Sequence, residues 1–134
     1  MAWFKAKKNN VRFSSLSKTK SIGDHFETLA LEHLKKQGLR LIEQNVRSRF
    51  GEIDLIMKEK QTLCFIEVRY RKKTSHGGAI SSVTPNKQQR IIKTAQTFLQ
   101  KNPAFQAAPC RFDVLAISQN NDTNDINWIK SAFY

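Results

Sequence analysis

The middle of the chain carries the clearest pattern of hydrophobic positions. Residues 52–58 and 62–70 are both rich in Ile, Leu, Val and Phe, and only the polar residues 59–61 separate them. Short apolar runs of this composition on either side of a few polar residues are typical of paired strands. The pattern therefore predicts a β-hairpin.

The length of the connecting loop predicts how these two strands pair. If residues 60–61 form a two-residue loop, the register sets Asp54 opposite Glu67, and alternation places Glu52, Asp54 and Ile56 on one face of the first strand. Directly opposed residues have Cβ atoms about 5 Å apart. Two carboxylates that close repel each other unless a cation lies between them, so the pair indicates either a site for a hard metal ion or a wrong register.

Helical spacing appears on both sides of the hairpin in the sequence. Apolar residues recur every three or four positions over residues 24–37, and Gly38 follows as a C-cap. Thr84 and Pro85 are typical of a helix start, because a capping side chain is followed by proline at the first helical position. Helical spacing then continues to about residue 102, so two helices are predicted.

Three further apolar runs predict strands over residues 39–45, 111–118 and 126–129, and residues 71–85 lack a period and predict a loop. The second helix then crosses over between the hairpin and the fourth strand, which permits parallel pairing within a mixed sheet. We therefore predict an α/β fold with a mixed sheet flanked by helices.

Basic charge dominates the composition. The 134 residues include 23 Lys and Arg against 11 Asp and Glu, a formal net charge of +12, which favours polyanionic partners such as nucleic acid. Residues 1–20 hold six basic side chains, no acidic one and no sustained apolar period. They predict a flexible basic arm, or alternatively a solubilising tail without a partner, ahead of a single domain over residues 21–134.

The sequence argues against a membrane or secreted protein. No apolar run approaches the length of a membrane span, and the basic N-terminus lacks the apolar core of a secretory signal. Cys64 and Cys110 lack the spacing of metal ligands and lie in apolar runs. We expect a cytoplasmic protein with no membrane partner and two reduced, buried thiols.

Acidic residues in and near the hairpin form a candidate metal site. Phosphodiester cleavage needs a nucleophilic water and neutralisation of the phosphate, which Mg²⁺ or Mn²⁺ held by carboxylates can supply. Asp54 and Glu67 are the predicted ligands, with Glu27 approaching from the first helix and Val68 offering its carbonyl oxygen. The alternative is that both acids form ordinary ion pairs with nearby arginines, and that Glu27 is a solvated helix residue.

Further residues complete the predicted site. Arg69, on the same strand face as Glu67, would neutralise charge that develops on the phosphoryl group, but it cannot act as a general base because arginine stays protonated. Gln88, at the start of the second helix, would orient a water or a phosphate. A surrounding basic patch would contact phosphates; it comprises Arg47, Arg49, Arg71, Lys72, Lys73, Lys87 and Arg90, with Lys87 and Arg90 expected to point outward or sideways.

These motifs, in this order, resemble a known family. They are Glu27, GEIDLI at 51–56, FIEVR at 65–69, VTP at 83–85 with Lys87, Gln88 and Arg90, and RFDV at 111–114. Over roughly residues 22–118 they are similar to the YraN family of small bacterial proteins, which is related to the restriction-endonuclease-like PD-(D/E)xK nucleases and especially to Holliday junction resolvases.

The resemblance implies an α/β/α core, a metal site from Glu27, Asp54 and Glu67, and Gln88 at the family's glutamine position. It also implies a homodimer as one option, since junction-cutting relatives act as dimers. This chain departs from the superfamily pattern in two places. The superfamily usually has lysine where this chain has Arg69, and its first helix usually has a glycine close to the position of Phe26. Arginine keeps the charge but cannot transfer a proton, so Lys72 or Lys73 would have to substitute.

The expected function is that of a metal-dependent endonuclease acting on DNA, with branched DNA as a candidate substrate. No helix-turn-helix or zinc-finger motif is present in the sequence, so phosphate contacts and substrate shape would lead binding. One alternative is a non-catalytic DNA- or RNA-binding module whose site has degenerated at Arg69. A second alternative is an interaction protein whose basic arm docks on an acidic partner.

Overall fold

Over the residues that the structure describes, the fold is a five-stranded mixed sheet with one helix on each face. The computed structural model describes residues 18–72, 82–120 and 122–134. The elements in chain order are α1 (Lys18–Lys36), β1 (Arg40–Arg47), β2 (Glu52–Glu59), β3 (Thr62–Lys72), α2 (Pro85–Lys101), a short 3₁₀ turn (Pro103–Phe105), β4 (Cys110–Asn120) and β5 (Thr123–Phe133).

The strands lie in the sheet in the order in which they occur in the chain, β1-β2-β3-β4-β5. Strand β3 pairs with β4 in parallel, and the other three neighbouring pairs are antiparallel. Helix α2 connects the two parallel strands, as a crossover must. The predicted α/β fold with a mixed sheet flanked by helices is confirmed.

The predicted hairpin and its register are also confirmed. Glu59 pairs with Thr62, and the ladder between β2 and β3 ends with Leu55 opposite Ile66. Both strands continue beyond this last pair. Asp54 and Glu67 therefore occupy the first positions past the ladder, where the two strands are no longer paired.

Two hydrophobic clusters lie on opposite faces of the sheet. The α1-side core includes Leu55 and Met57 of β2 with Phe26, Ala30 and Leu34 of the helix. The α2-side core joins apolar side chains of α2 to strand residues on the opposite face of the sheet. Its members from α2, β2 and β3 are Ile91, Ala95, Phe98, Ile53, Ile56, Leu63 and Phe65. Burial of each large apolar side chain contributes about 1.5–3 kcal/mol.

Strand β2 departs from strict alternation. Ile53 and Ile56 both belong to the α2-side core, although an odd number of steps separates them. The prediction that Glu52, Asp54 and Ile56 share one face is therefore wrong. The break in alternation falls where pairing with β3 ends, so the backbone is free to turn there and Asp54 is directed away from the α2-side core.

Several boundaries differ from the predictions. Helix α1 begins at Lys18, earlier than the predicted residue 24, and residues 1–17, most of the predicted basic arm, lie outside the described residues. Strand β5 is longer than predicted, because Asn120 already pairs with Thr123. Cys64 is buried as expected, whereas Cys110 is exposed.

No helix within the described ranges has both the length and the apolar character needed to cross a bilayer.

Candidate functional site

The predicted carboxylates come together where β2 and β3 separate. Asp54 Oδ2 accepts a hydrogen bond of 2.8 Å from the backbone N–H of Val68, across the gap between the strands. Glu67, the neighbour of Val68, is 5% exposed. The two acids predicted as metal ligands therefore share one partly closed space at the end of the hairpin.

Burial and neighbouring charge act together on Asp54. Its pKa is raised well above the ordinary value, first because the carboxyl is buried and then because the charges of Glu67 and Glu27 lie nearby. A hydrogen bond between the Asp54 and Glu67 side chains raises the pKa further, and the N–H of Val68 opposes the shift. The cluster therefore places several carboxyl groups where burial and mutual repulsion disfavour their charged forms.

Glu27 reaches the cluster from α1, which packs on the sheet through Phe26 and Ala30. Burial raises the pKa of Glu27 to about 7, with smaller contributions from the charges of Glu52, Asp24 and Glu67. The Asn45 amide nitrogen donates to Glu27 Oε1 at 3.0 Å and to Glu52 Oε1 at 3.2 Å when it is oriented to satisfy both groups.

Asn45 was not among the predicted site residues. It adopts a left-handed backbone conformation (φ 52°) within β1, which asparagine tolerates better than most residues. The only signal in the sequence was an asparagine at the end of a short predicted strand, a position where asparagine is also common without any function.

Two cations face Glu67. Lys87 Nζ lies 2.8 Å from Glu67 Oε2, and Arg69 Nη1 lies 3.4 Å from the same oxygen. Arg69 Nε also donates to Ser82 Oγ at 3.1 Å, which fixes the guanidinium beside the cluster. Lys87 is expected to point outward or sideways, and its side chain does lie sideways: the first turn of α2 directs it toward β3, where it stays partly exposed.

The start of α2 places Lys87 by a defined cap. Thr84 Oγ1 accepts a hydrogen bond of 3.2 Å from the backbone N–H of Lys87, and Pro85 occupies the first turn, as the sequence predicted. Gln88 Nε2 donates to the Val83 carbonyl at 3.0 Å, so its amide braces the segment that leads into the helix. A role for Gln88 toward water or phosphate stays a prediction.

The remaining predicted patch residues lie in three places. Arg47 forms an ion pair of 3.7 Å with Glu52, and Arg49 lies over the ring of Phe50 in the β1–β2 loop. A Cβ on Gly51 would come within 3.2 Å of Arg90 Cβ, so this loop packs closely on α2. Arg71 is partly exposed near the end of β3, whereas the side chain of Lys72 and all of Lys73 lie outside the described residues.

As the side chains stand, no three or more His, Cys, Asp or Glu residues of the described ranges form an arrangement that could hold a metal ion. The contacts explain why: Glu67 is engaged by Lys87 and Arg69, and Glu27 by Asn45. The donors are nevertheless hard oxygens of the kind that Mg²⁺ and Mn²⁺ prefer. Regular strand geometry also directs the Val68 carbonyl to the same edge as its N–H, which faces Asp54.

Known proteins are similar to this chain over the region that contains the site. The Uncharacterised protein family UPF0102 matches residues 26–117, which include Glu27, Asp54, Glu67 and Lys87. A UPF0102 protein of Stutzerimonas stutzeri is 49% identical over 118 residues, covering 88% of this chain and 98% of that protein. The UPF0102 protein YraN of Escherichia fergusonii is 47% identical over 116 residues, covering 86% of each chain.

Among solved structures, that of Pyrococcus furiosus SfsA in complex with Ca²⁺ covers 84% of this chain and 63% of its own, with a TM-score of 0.34 and 12% sequence identity. A likeness this low carries no argument about fold or function. The sequence relatives are decisive, and they confirm the resemblance to YraN: the chain belongs to the uncharacterised protein family UPF0102.

Proposed function

We propose that this protein is a metal-dependent phosphodiesterase that cleaves nucleic acid, with DNA as the preferred substrate. The observation that supports this best is the convergence of Asp54 and Glu67 at the end of the hairpin, beside the cations Lys87 and Arg69. Crowded carboxylates next to fixed positive charge are what cleavage of a phosphodiester with a divalent cation requires.

The residues present fit Mg²⁺ or Mn²⁺ by their chemistry. Asp54 and Glu67 would hold the ion through carboxylate oxygens, with the Val68 carbonyl as a further oxygen ligand and Glu27 nearby. Raised pKa values at Asp54 and Glu27 are the electrostatic cost that a bound cation would relieve. When bound, such an ion polarises the phosphate and lowers the pKa of a coordinated water.

Lys87 and Arg69 would then act on the phosphoryl group. Both lie against Glu67, so displacement of their contacts by a metal leaves two positive groups directed at the same space. Arg69 supplies a fixed charge that stabilises the developing oxyanion. Lys87 supplies an ammonium, which unlike a guanidinium can take part in proton transfer, so it fills the role that Arg69 cannot.

Charge and fold features favour an extended polyanion over a small substrate. The net charge is +12. Arg90 and Lys93 follow Lys87 on α2, and Arg49 lies in the β1–β2 loop that packs on this helix. Phosphate contacts of this type position a nucleic acid without reading its sequence. Branched DNA is the substrate class to test first, because the family resemblance points to Holliday junction resolvases.

The decisive experiment incubates the protein with Mg²⁺ or Mn²⁺ and a panel of linear, flapped and four-way DNA, together with the matching RNAs. Asp54→Asn and Glu67→Gln keep the shape of the site and remove its charge, and we expect each to lower cleavage at least 100-fold. Glu32→Gln, on the exposed part of α1, is the matched control and should cleave like the wild type. Cleavage that survives both site substitutions would overturn the proposal.

A second candidate is a non-catalytic DNA- or RNA-binding module. It is favoured by one observation: Glu67 is already neutralised by Lys87 and Arg69 without any metal. Binding without cleavage of any substrate would support this candidate, and Arg69→Lys would then show whether the arginine silences the site. No binding to either nucleic acid would leave the acidic protein partner, and sedimentation velocity at the assay concentration tests the homodimer.

A further inference from the structure

A second concave surface, distinct from the carboxylate cluster, is formed by the β1–β2 loop and one face of α2. It is an open groove of about 680 Å³, a volume within the range of about 300–1,000 Å³ that is usual for ligand sites. Three of its lining residues are cations, Arg49, Lys93 and Lys101, and none is acidic. Phe50 and the amide side chains of Gln96 and Gln100 supply much of the rest.

Phe50 organises this groove. Arg49 Cζ lies 4.9 Å and Lys93 Nζ lies 5.4 Å from the centroid of its ring, so both cations are held by the ring's negative faces. The ring belongs to neither of the two core clusters formed by the described residues. A partly exposed aromatic that binds two cations and not the core is placed for interaction, since packing does not account for it.

The cations of the groove keep their charge available. Among the described residues, Arg49, Lys93 and Lys101 form no ion pair with a carboxylate, whereas Arg47 and Lys87 do. Cation–π contacts leave the N–H donors of Arg49 and Lys93 free to bind an anion. Lys93 and Lys101 lie about 12 Å apart along α2, so together they can span several phosphates of one strand.

The groove adjoins the carboxylate site. A smaller hollow of about 360 Å³ shares Ser48, Arg49 and Phe50 with it and continues to Glu52. Asn45 links Glu52 to Glu27, the outermost acid of the cluster. Lys87, at Glu67, also precedes Lys93 by less than two turns, or about 9 Å, on the same helix. A chain seated in the groove would therefore lead directly to the carboxylates.

We propose that this groove is an accessory phosphate-binding subsite that holds the nucleic-acid backbone beside the carboxylate cluster. Arg49, Lys93 and Lys101 contact consecutive phosphates, and Phe50 preorganises the first two cations. The identity of the ligand as nucleic acid rests on the proposed function, whereas cleavage is not needed for the subsite to act.

The test measures binding by fluorescence anisotropy in EDTA, so that cleavage and metal play no part. Labelled single-stranded and duplex oligonucleotides of one sequence form the two arms. Lys93→Gln with Lys101→Gln removes two groove charges, and Lys35→Gln with Lys36→Gln removes two exposed charges from α1 on the other face of the sheet. Phe50→Leu keeps an apolar side chain and removes the ring.

We expect the groove double variant to weaken binding by about 10-fold or more and to reduce the salt slope of log K by about 2. The α1 double variant should change affinity less than twofold, and Phe50→Leu should weaken binding about threefold to fivefold. A loss confined to one arm identifies the form of nucleic acid that the groove takes.

Equal behaviour of the two double variants would overturn the subsite, even if the wild type cleaves DNA. Loss of binding in the groove variant alone would support it, even if no substrate is ever cleaved. Failure of the subsite and failure of the nuclease proposal are thus separate results. If the groove double variant binds both oligonucleotides like the wild type but loses binding to an acidic protein, the groove does not hold nucleic acid and the proposal is wrong.

Discussion

Lys87 is the nearer of the two cations that face Glu67. Its ammonium lies 2.8 Å from a carboxylate oxygen of Glu67 that is almost completely buried, while Lys87 itself remains 39% exposed. Removing this cation leaves Arg69, at the longer distance of 3.4 Å, as the remaining cationic partner of Glu67 among the described residues. A buried carboxylate that loses a partner is costly, although the partial exposure of Lys87 lowers the cost through solvent screening.

We expect Lys87→Met to lower the free energy of unfolding by about 1 kcal/mol. The same substitution in a Glu67→Gln background should cost less, because the uncharged amide no longer needs the cation. Urea denaturation of the two single variants and the double variant gives the coupling energy. Additive effects would mean that the ion pair contributes nothing.

The raised pKa of Glu27 predicts how stability changes with pH. The folded protein holds a proton at Glu27 up to a pKa of about 7, whereas the unfolded chain releases it near the ordinary value of 4.5. Between these values the folded state binds more protons, so this contribution to stability is present at pH 4 and is lost as the pH rises toward 7. Asp54, whose pKa is also raised, acts in the same direction.

Glu27→Gln should therefore flatten the pH dependence of Tm between pH 4.5 and 7.5, whereas the exposed Glu32→Gln should leave it unchanged. Addition of Mg²⁺ should raise the Tm of the wild type more at pH 8 than at pH 5, because the metal competes with the protons. A wild-type Tm that rises with pH across this window in parallel with that of Glu27→Gln would contradict the assignment.

At the scale of elements, the N-terminus of α2 connects the fold to the site. Thr84 caps the helix by accepting from the N–H of Lys87, the residue whose side chain meets Glu67. Loss of such a cap usually costs about 1 kcal/mol. We expect Thr84→Ala to lower the free energy of unfolding by that amount and Thr84→Ser to change it little, as measured by urea denaturation. Equal losses in both variants would mean that the methyl group, and not the hydroxyl, is responsible.

Strands β4 and β5 are joined by a buried acid far from the site. Asp113 is fully buried and accepts hydrogen bonds from Arg111 Nε, Trp128 Nε1 and the N–H of Ser131, each at 3.0 Å. Removal of one partner from a buried pair of charges costs about 3–5 kcal/mol. Asp113→Ala should lose stability in that range, and Asp125→Ala, exposed on β5, should lose less than about 0.5 kcal/mol. A small loss at Asp113 would show that water replaces its contacts.

The parts of the fold that the sequence predicts are those that local patterns determine. The hairpin register follows from a two-residue loop, and the start of α2 follows from Thr84 and Pro85, because cap and proline act within one turn. The break in alternation between Ile53 and Ile56 depends on where β2 leaves β3, which is a tertiary feature. The full length of β5 was missed for the same reason, since its polar residues pair with a distant strand.

The residues of the candidate site are likewise of two kinds: local patterns predict some of them, and tertiary packing determines the others. The hairpin register placed Asp54 and Glu67 together, and the apolar stripe of α1 placed Glu27 near them. The ion pair of Lys87 with Glu67 was not predicted, because helical spacing alone cannot show that the first turn of α2 faces β3. The contact of Asn45 with Glu27 depends on how α1 packs on the sheet. The cations around Phe50 depend on how the β1–β2 loop packs on α2, through the close approach of Gly51 to Arg90. Such contacts join residues far apart in the chain.

At the scale of the whole molecule, the net charge is +12, but the proposed binding surface carries both negative and positive groups. The carboxylate cluster repels phosphates, whereas the flanking cations Arg49, Arg90, Lys93 and Lys101 attract them. A polyanion bound in the absence of metal should therefore be held by the flanking cations, with the cluster weakening the complex. Asp54→Asn reduces this repulsion, so in EDTA it should bind DNA as well as the wild type or better, whereas under the proposed function its cleavage in Mg²⁺ should be lost.

The salt dependence of DNA binding tests this distribution for the complete protein. If about five phosphates are neutralised, log K should fall with log[salt] at a slope of about −4.5 for duplex DNA, which weakens binding about 500-fold between 50 and 200 mM KCl. Fluorescence anisotropy in EDTA measures the slope, and Asp54→Asn should share it, since a removed carboxylate releases no counterions from DNA. A slope near −1 would mean that phosphate contacts do not dominate binding. A surface with this much unpaired positive charge that binds the DNA backbone must release several counterions from the DNA, which gives a steeper slope.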